Sequence, residues 1–478
     1  MTPLERSING LRLQSPEMSA HRTLSPTQTW IAAIGLALLA AAVAADARRT
    51  LIVLFGLATA LYLLSLAYRL YLLRTALHGV ATASISDEDA RGLADQDLPI
   101  YTLLVPVYRE ARVVARTIEA LEALDYPRDR LDIKLLLEVD DEETIDAARA
   151  LRSELRLEIV LVPAEGPRTK PKACNYGLAL ARGELVTIYD AEDHPEPLQL
   201  RRAVAAFREL PPTVACLQAR LSYFNPEQNM ITRWFTAEYD AWFSMLLPAL
   251  AHHGGPVPLG GTSMHIKRRT LDRIGGWDAY NVTEDADLGV RLQRLGYGVQ
   301  VLDSLTLEEA NSDFVNWVKQ RSRWYKGYLQ TWLVHMRNPR RLWQELGWRR
   351  FIGLTFAIGS VPVLALINPV FWAATWLWIL GASGVVASLL PPVVYYPGLA
   401  CLVVGNFVGI YIGLLGIRVT GRPRLLGAVL LFPLYWLMMS IAAIRALLQL
   451  TVAPSFWEKS VHGLDRRDDS KRTEVAVS

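Results

Sequence analysis

The sequence predicts a multi-pass α-helical membrane protein with an α/β domain set into its middle. Three observations predict it. Of 478 residues, 51% are hydrophobic and 20% charged, which excludes a disordered chain. The apolar residues gather toward both ends and leave a polar middle. Within that middle, short apolar runs alternate with helically spaced stretches, the pattern of buried parallel strands joined by helices.

The elements follow in chain order. Residues 1–27 are polar and carry Pro3, Pro16 and Pro26, unlike the start of a simple signal peptide. Residues 28–74 hold two apolar runs, 29–45 and 51–73, each close to the roughly 20 residues that cross a bilayer as a helix. Asp46-Ala47-Arg48-Arg49 fits a hairpin turn between them, and Arg69 is placed to snorkel from the end of the second. Residues 75–97 form a mixed linker. From 98 to 341 the chain reads as a soluble α/β domain. Its strands are predicted at 101–107, 133–139, 159–162 and 185–189, with helices at 111–124 and 144–155. This pattern predicts a largely parallel sheet with helices on both faces.

Residues 350–450 are apolar again and divide into about four spans, 352–367, 370–390, 397–417 and 425–448. The first is short enough to be re-entrant. Residues 451–478 make a tail too short for a further domain. Even span counts on both sides put both termini and the middle domain on one face. They also put Arg48, Arg49, Arg418, Arg422 and Arg424 on the other, against the positive-inside bias.

Fifty basic and 47 acidic side chains nearly balance at +3, so nothing marks a nucleic-acid partner. Cys174, Cys216 and Cys401 are far apart and odd in number. They read as reduced packing residues, not a disulfide or zinc framework.

Five clusters carry possible chemistry. Asp140-Asp141-Glu142-Glu143 follows a strand, where α/β sheets bind ligands; the same acids would also cap the next helix. Asp190-Ala191-Glu192-Asp193 follows another strand. Three acids in four residues suit a hard cation, Mg²⁺ or Mn²⁺, on oxygen ligands, or else form a solvated loop. Lys170-Pro171-Lys172 lies between them and is suited to a diphosphate or to plain solvent exposure. Thr283-Glu284-Asp285-Ala286-Asp287 opens a helix that Thr283 can N-cap. Its acids complement the helix dipole or supply a general base. Gln320, Arg323 and Trp324 share one helix face at i, i+3 and i+4, on a helix aromatic enough to be interfacial.

In this order, these residues resemble the processive membrane glycosyltransferases of family 2, the cellulose, curdlan and hyaluronan synthases. The resemblance covers about 101–339. It rests on Pro106-Val107-Tyr108-Arg109-Glu110, Asp140-Asp141, the Lys170–Asn175 segment, Asp190-Ala191-Glu192-Asp193 for DxD, Thr283-Glu284-Asp285 for TED, and Gln320, Arg323 and Trp324 for QxxRW. It implies a multi-pass membrane protein with a cytoplasmic α/β GT-A (Rossmann-like) glycosyltransferase domain, in the plasma membrane. It implies a UDP-sugar donor, UDP-glucose first, and Mg²⁺ or Mn²⁺. Asp140, Asp141, Lys170, Lys172, Asp190, Gln320, Arg323 and Trp324 would bind the donor. Asp190 with Glu192 or Asp193 would hold the metal, Asp285 would be the base, and Glu284 and Trp324 would meet the acceptor.

The implied reaction is inverting, processive extension of a β-linked polysaccharide that crosses the bilayer. Trp372, Trp376, Trp378 and Trp436 are candidates for lining its channel or for packing. Phe456-Trp457-Glu458-Lys459 looks like the gating segment of some relatives. Two places depart from the family pattern. DxD is Asp-Ala-Glu-Asp, which leaves the second metal ligand open, and Lys172 stands where many relatives have Gly. The competing expectations are transfer of one sugar to a polyprenyl-phosphate lipid, and a nucleotide-binding transporter or scaffold.

Overall fold

The computed structural model describes residues 1–80, 82–459 and 463–464; the remainder of the 451–478 tail lies outside the described residues. An eight-stranded sheet organises the middle of the chain, in the order β3-β2-β1-β4-β7-β6-β8-β5. Its strands are β1 (Tyr101–Val107), β2 (Leu131–Glu138), β3 (Leu157–Val162), β4 (Leu185–Ile188), β5 (His194–Pro195), β6 (Val214–Tyr223), β7 (Met264–Lys267) and β8 (Gly298–Glu308). Strands β3, β2, β1 and β4 run parallel, as the sequence predicts. The other half is mixed: β7 pairs antiparallel with β4 and β6, and β8 runs parallel to β6. The expectation of a largely parallel sheet is therefore corrected. The four unpredicted strands are short or carry polar residues such as Gln218, His265 and Gln300, which hide their period.

Alternation along β1 explains the two layers. Leu103, Val105 and Val107 pack with Val114 and Ile118, while Leu104 packs with Leu136, Cys174 and Leu178 on the other face. Helices α3 (Val114–Glu122) and α5 (Lys170–Leu178) supply those covers. Helix α4 (Glu142–Ala150) starts two residues before the expected one, because Asp141 takes the N-cap position and accepts from Thr144 N. The polar N-terminus is folded too. Helix α1 (Pro3–Gln14) lies on α5, where Asn175 donates to the Ser7 carbonyl at 3.1 Å. All three cysteines are free and buried.

Among the described residues, four helices are long and apolar enough to cross a membrane. The first, α2 (Pro26–Leu77), breaks at Asp46, whose backbone is non-helical. Gln28 donates to the Leu333 carbonyl beside the α/β domain, Arg48 reaches the Ser388 carbonyl, and Tyr71 and Thr75 meet His253 back at the domain. The two arms therefore run out and back, as a hairpin at Asp46 requires.

The 350–450 region holds three long helices where the sequence suggested four spans. Run 352–367 and the part of 370–390 up to Ile379 belong to one helical stretch, which starts at Pro339, breaks at Gly347 and continues through Pro369; Ser383–Leu389 is a separate short helix. Membrane-type helices tolerate proline when neighbours absorb the lost hydrogen bond. That merger changes the expected polarity. Helix 392–419 returns to the α/β domain, where Thr420 donates to Asp240 at 2.9 Å and Arg424 pairs with Glu227 at 3.5 Å. Arg418, Arg422 and Arg424 thus lie on the domain's side, not opposite it.

Further along, α7 (Glu284–Arg294) and α8 (Phe314–His335) stand at the edge of the sheet. They are joined by buried charge. Asp287 accepts from Arg291 at 2.6 Å and from His335 at 2.9 Å, all three fully buried. Burial pushes the Asp287 carboxyl up, but Arg291 and His335 outweigh it and hold it below the usual range. Arg291→Met should remove the one guanidinium from Asp287 and leave the buried carboxylate with His335 alone. It is expected to cost about 3–5 kcal/mol, read as a lowered thermal or denaturant midpoint of the purified protein in micelles.

Candidate active site

The carboxyl ends of β1, β2 and β4 open on one crevice, the ligand position of an open α/β sheet. It is a cavity of about 620 Å³. Its wall includes Tyr108, Arg109, Glu110, Glu138, Arg168, Lys170, Asp190 and Glu192. From the other side come Thr283, Glu284 and Asp285 at the start of α7, and Gln320, Arg323 and Trp324 of α8. Parts of the chain more than 200 residues apart thus meet here.

Most of the candidate residues converge, but not all. Asp140 pairs with Arg168 at 2.6 Å beside the crevice. Asp141 caps α4 and accepts from the backbone N of Arg109, so it fixes the β1 and β2 loops. Arg109 has φ 54, an uncommon conformation for a non-glycine residue. Lys172 is corrected: it is fully buried, donating to Glu138 at 3.2 Å and to the Pro163 carbonyl at 2.8 Å. The second lysine of the segment falls on the inner face of α5, one turn from solvent, and neutralises a strand-end acid. Thr283 stands at the N-cap of α7, but its side chain makes no cap bond; Asn281 accepts from its backbone N instead.

The Asp190–Asp193 loop divides its acids. Asp190 pairs with Lys170 and, with Glu192, faces the crevice. Asp193 turns inward, accepting from Asp190 N at 2.7 Å and from the Thr262 hydroxyl. Its Oδ1 is buried with no partner among the described residues. Burial, then repulsion from Asp190 and Glu192, pushes its carboxyl well up. Glu308, at the end of β8, is pushed well up by burial and by Asp193, Glu192 and Asp190. Four carboxylates crowd one corner. Such an all-oxygen set suits a hard divalent cation. Among the described residues, no three His, Cys, Asp or Glu side chains form a ready-made cage.

Asp285 lies where two cavities meet. It lines the crevice and a second cavity of about 350 Å³ that extends between the apolar helices. Tyr239, Gly260, Thr283 and Trp324 share both walls. Burial raises the Asp285 carboxyl to about 6 against a bond from Ala286 N, Lys170 and Arg323. Burial and the adjacent Asp285 raise Glu284 to about 8. Lys170 is held up as a cation by Asp190 and Glu284 despite burial, which acts to lower it. It donates to the Gly261 carbonyl at 3.0 Å. Gly261 has φ +83, and a Cβ there would lie 2.9 Å from Asp285 Oδ2, so glycine is needed against the acid.

Helix α8 contributes at both cavities. Gln320 Oε1 is buried in the crevice wall without a partner among the described residues. Arg323 stacks on Trp457 at 4.6 Å, and Lys459 pairs with Glu110 at 3.3 Å, so the segment after the last long helix covers the crevice. Arg321 clamps Glu238 and stacks on Trp324 at 4.7 Å. Of the expected channel aromatics, Trp436 lines the second cavity. Trp372, Trp376 and Trp378 are not on its wall, and the last two are exposed on the outer surface of their helix.

Sequence reasoning did not single out Arg168, Glu308, Glu238 or Gly261. Glu308 was findable, as another acid at a strand end. The others carry no local signal, because tertiary folding alone brings them to the site.

The fold and site define an α/β domain with a charged crevice at its strand ends, backed by apolar helices. Residues 99–327 match the profile described as "Glycosyltransferase like family 2", so the middle of the chain is a family 2 glycosyltransferase domain. The chain is 32% identical over 268 residues to a β-monoglucosyldiacylglycerol synthase of Synechocystis, covering 54% of this chain and 53% of that protein. It is 27% identical over 256 residues to glucomannan 4-β-mannosyltransferase 2 of Arabidopsis thaliana, covering 50% and 46%. The alignments thus span about half the length of these relatives. Among solved structures, a mannosyltransferase of Pyrobaculum calidifontis in complex with GDP-Man and Mn²⁺ superposes with a TM-score of 0.53 at 18% identity. It covers 83% of this chain and 97% of its own, which shows a shared fold. The relatives are lipid glucosyltransferases and mannosyltransferases, not specifically cellulose, curdlan or hyaluronan synthases.

One contact gives a direct test of the site's assembly. A Cβ at Gly327 of α8 would meet the Thr283 side chain at 2.3 Å. Gly327→Ala should therefore push α8 off the start of α7. Misplacement on this scale is expected to lower donor turnover about 100-fold, measured as nucleotide release, while the protein still purifies as a folded species.

Proposed function

We propose that this protein transfers a single hexose from a nucleoside-diphosphate sugar to the hydroxyl of a membrane lipid, with inversion at the anomeric carbon. One observation carries the reading. Asp285 sits at the junction of a charged crevice and a cavity between apolar helices, whose wall combines Leu364, Ala365, Val408 and Ile412 with polar groups such as Tyr62, Ser65 and Asn368, a surface that suits acyl chains beside a polar headgroup. A lipid enters such walls readily. The glucolipid product in the name of the Synechocystis relative supports the same direction. UDP-glucose remains the first donor to try.

Each residue has a task on this reading. Lys170 and Arg323 face the diphosphate and stabilise its departure. Asp285 takes the proton of the attacking lipid hydroxyl as its oxygen displaces the diphosphate from the anomeric carbon. Trp324 roofs the sugar, held by Arg321. Asp190 and Glu192 would hold Mg²⁺ or Mn²⁺ with the diphosphate and water as further ligands, and that ion would neutralise charge on the leaving group. In the membrane, α2 would cross twice and the helices through Ile379 and 392–419 once each. The helix 432–452 would lie in the interface. Its Tyr435 meets Arg321 at one end and Ala453 meets Lys326 at the other, both on α8. Arg418, Arg422 and Arg424 then join the domain on the cytoplasmic face, as the positive-inside bias favours.

A second reading, extension of a β-linked polysaccharide, draws on Gln320, Arg323 and Trp324 lining one site and on the plant glucomannan relative. One experiment separates the two. Purified protein in vesicles, with Mg²⁺ or Mn²⁺ and a panel of nucleotide sugars, is expected to release nucleotide and yield a one-sugar lipid by mass. A ladder of longer products would overturn the lipid reading.

The acid–base step has its own test. Only ionised Asp285 can take a proton, and burial raises its carboxyl to about 6. Turnover should therefore fall as pH drops through about 6 rather than about 4, and Asp285→Asn should lose about 10²–10⁴-fold at every pH. Chelation of divalent ions should abolish turnover, and restored Mg²⁺ or Mn²⁺ should recover it.

A further inference from the structure

The second cavity holds one charge that sugar transfer does not use. Among the charged side chains on its wall, Asp285 serves the chemistry. Glu238 and Arg321 neutralise one another through Arg321 Nη1–Oε1 at 3.0 Å and Nη2–Oε2 at 2.5 Å. Arg69 remains. It lines the cavity, yet makes no hydrogen bond or ion pair to any described residue. Its side chain is exposed, as a snorkelling arginine's would be, and its charge reaches Tyr62 and Tyr325 on the same cavity wall.

Its depth can be placed. Arg69 lies eight residues before the end of α2 at Leu77, about 12 Å along the axis at 1.5 Å per residue. The next turn is already on the α/β domain, with Tyr71 and Thr75 on His253. The same cavity wall carries Leu364, Ala365 and Val408. The guanidinium is therefore at headgroup level, on a cavity with apolar walls. An unpaired arginine facing a cavity at this depth calls for an anion, and its planar fork matches phosphate oxygens.

We propose that Arg69 binds the phosphate of a lipid whose chains occupy the apolar part of this cavity. The inference rests on the lipid-acceptor reading and deepens it. The phosphate belongs either to the acceptor itself or to a second lipid beside it.

Full-length protein in uncharged polyoxyethylene micelles tests this with fluorescent phosphatidic acid and its matched diacylglycerol as probes. The unaltered protein should bind the phosphate-bearing probe at least tenfold more tightly. Arg69→Gln should erase that preference while leaving diacylglycerol binding unchanged; it breaks no hydrogen bond or ion pair to a described residue. Arg48→Gln, at the far end of the hairpin, should retain the preference. No preference in the unaltered protein, or an unchanged one in Arg69→Gln, overturns the proposal. Binding is read without turnover, so a failure to glycosylate lipid would be seen separately. Two turnover arms then assign the source. Glycosylated phosphatidylglycerol places the phosphate on the acceptor. Glycosylation of diacylglycerol accelerated by unmodified phosphatidic acid places it on the neighbouring lipid.

Discussion

The site depends on one constraint: too much negative charge gathered in one dry corner. Asp190, Glu192, Glu284, Asp285 and Glu308 come from three separate chain segments and end at the same crevice, with Asp193 buried just behind them. Burial, joined by repulsion at Asp193, Glu284 and Glu308, pushes the carboxyls of Asp193, Glu284, Asp285 and Glu308 up. Lys170 and Arg323 stand among them and reduce that repulsion. The corner thus favours cations, and it holds the Asp285 carboxyl up at about 6. The surrounding architecture holds this arrangement in place. Gly261 lets the backbone approach Asp285, Thr262 turns Asp193 inward, and Lys172 neutralises Glu138 behind the crevice.

Helix α8 links that corner to the apolar helices. One face gives Gln320, Arg323 and Trp324 to the crevice. The neighbouring face packs Trp317 and Arg321 against Tyr435 of the last long helix. Its end ties to α7 through His335 and Asp287. A shift in this helix would move the crevice, the second cavity and the apolar bundle together. Coupling of this kind follows from shared packed residues, not from any flexible hinge.

Much of the site was legible because its chemistry is written in clusters. Acids at strand ends, the Lys170 segment, Thr283-Glu284-Asp285 and the i, i+3, i+4 face of α8 are local patterns, and each converges on the crevice. The failures have one cause. Lys172 and Asp193 sit beside true crevice residues in sequence, but one residue of helix rotation or one turn of loop points them into the core. Composition could not see that. Nor could apolar length count the 350–450 helices, since Pro369 does not break the helix that contains it.

The sequence by itself determined the α/β middle between apolar segments, the parallel half of the sheet and the residue types of the site. Period and strand-end chemistry are local and survive without a fold. The tertiary structure decided the mixed half of the sheet, the return of Arg418, Arg422 and Arg424 to the domain's side, and the place of Asp285 between two cavities. It also decided that Arg69 lines the second cavity with no hydrogen bond or ion pair to a described residue. These depend on which surfaces meet across hundreds of residues, and that is set by packing and by the pairing of buried charge.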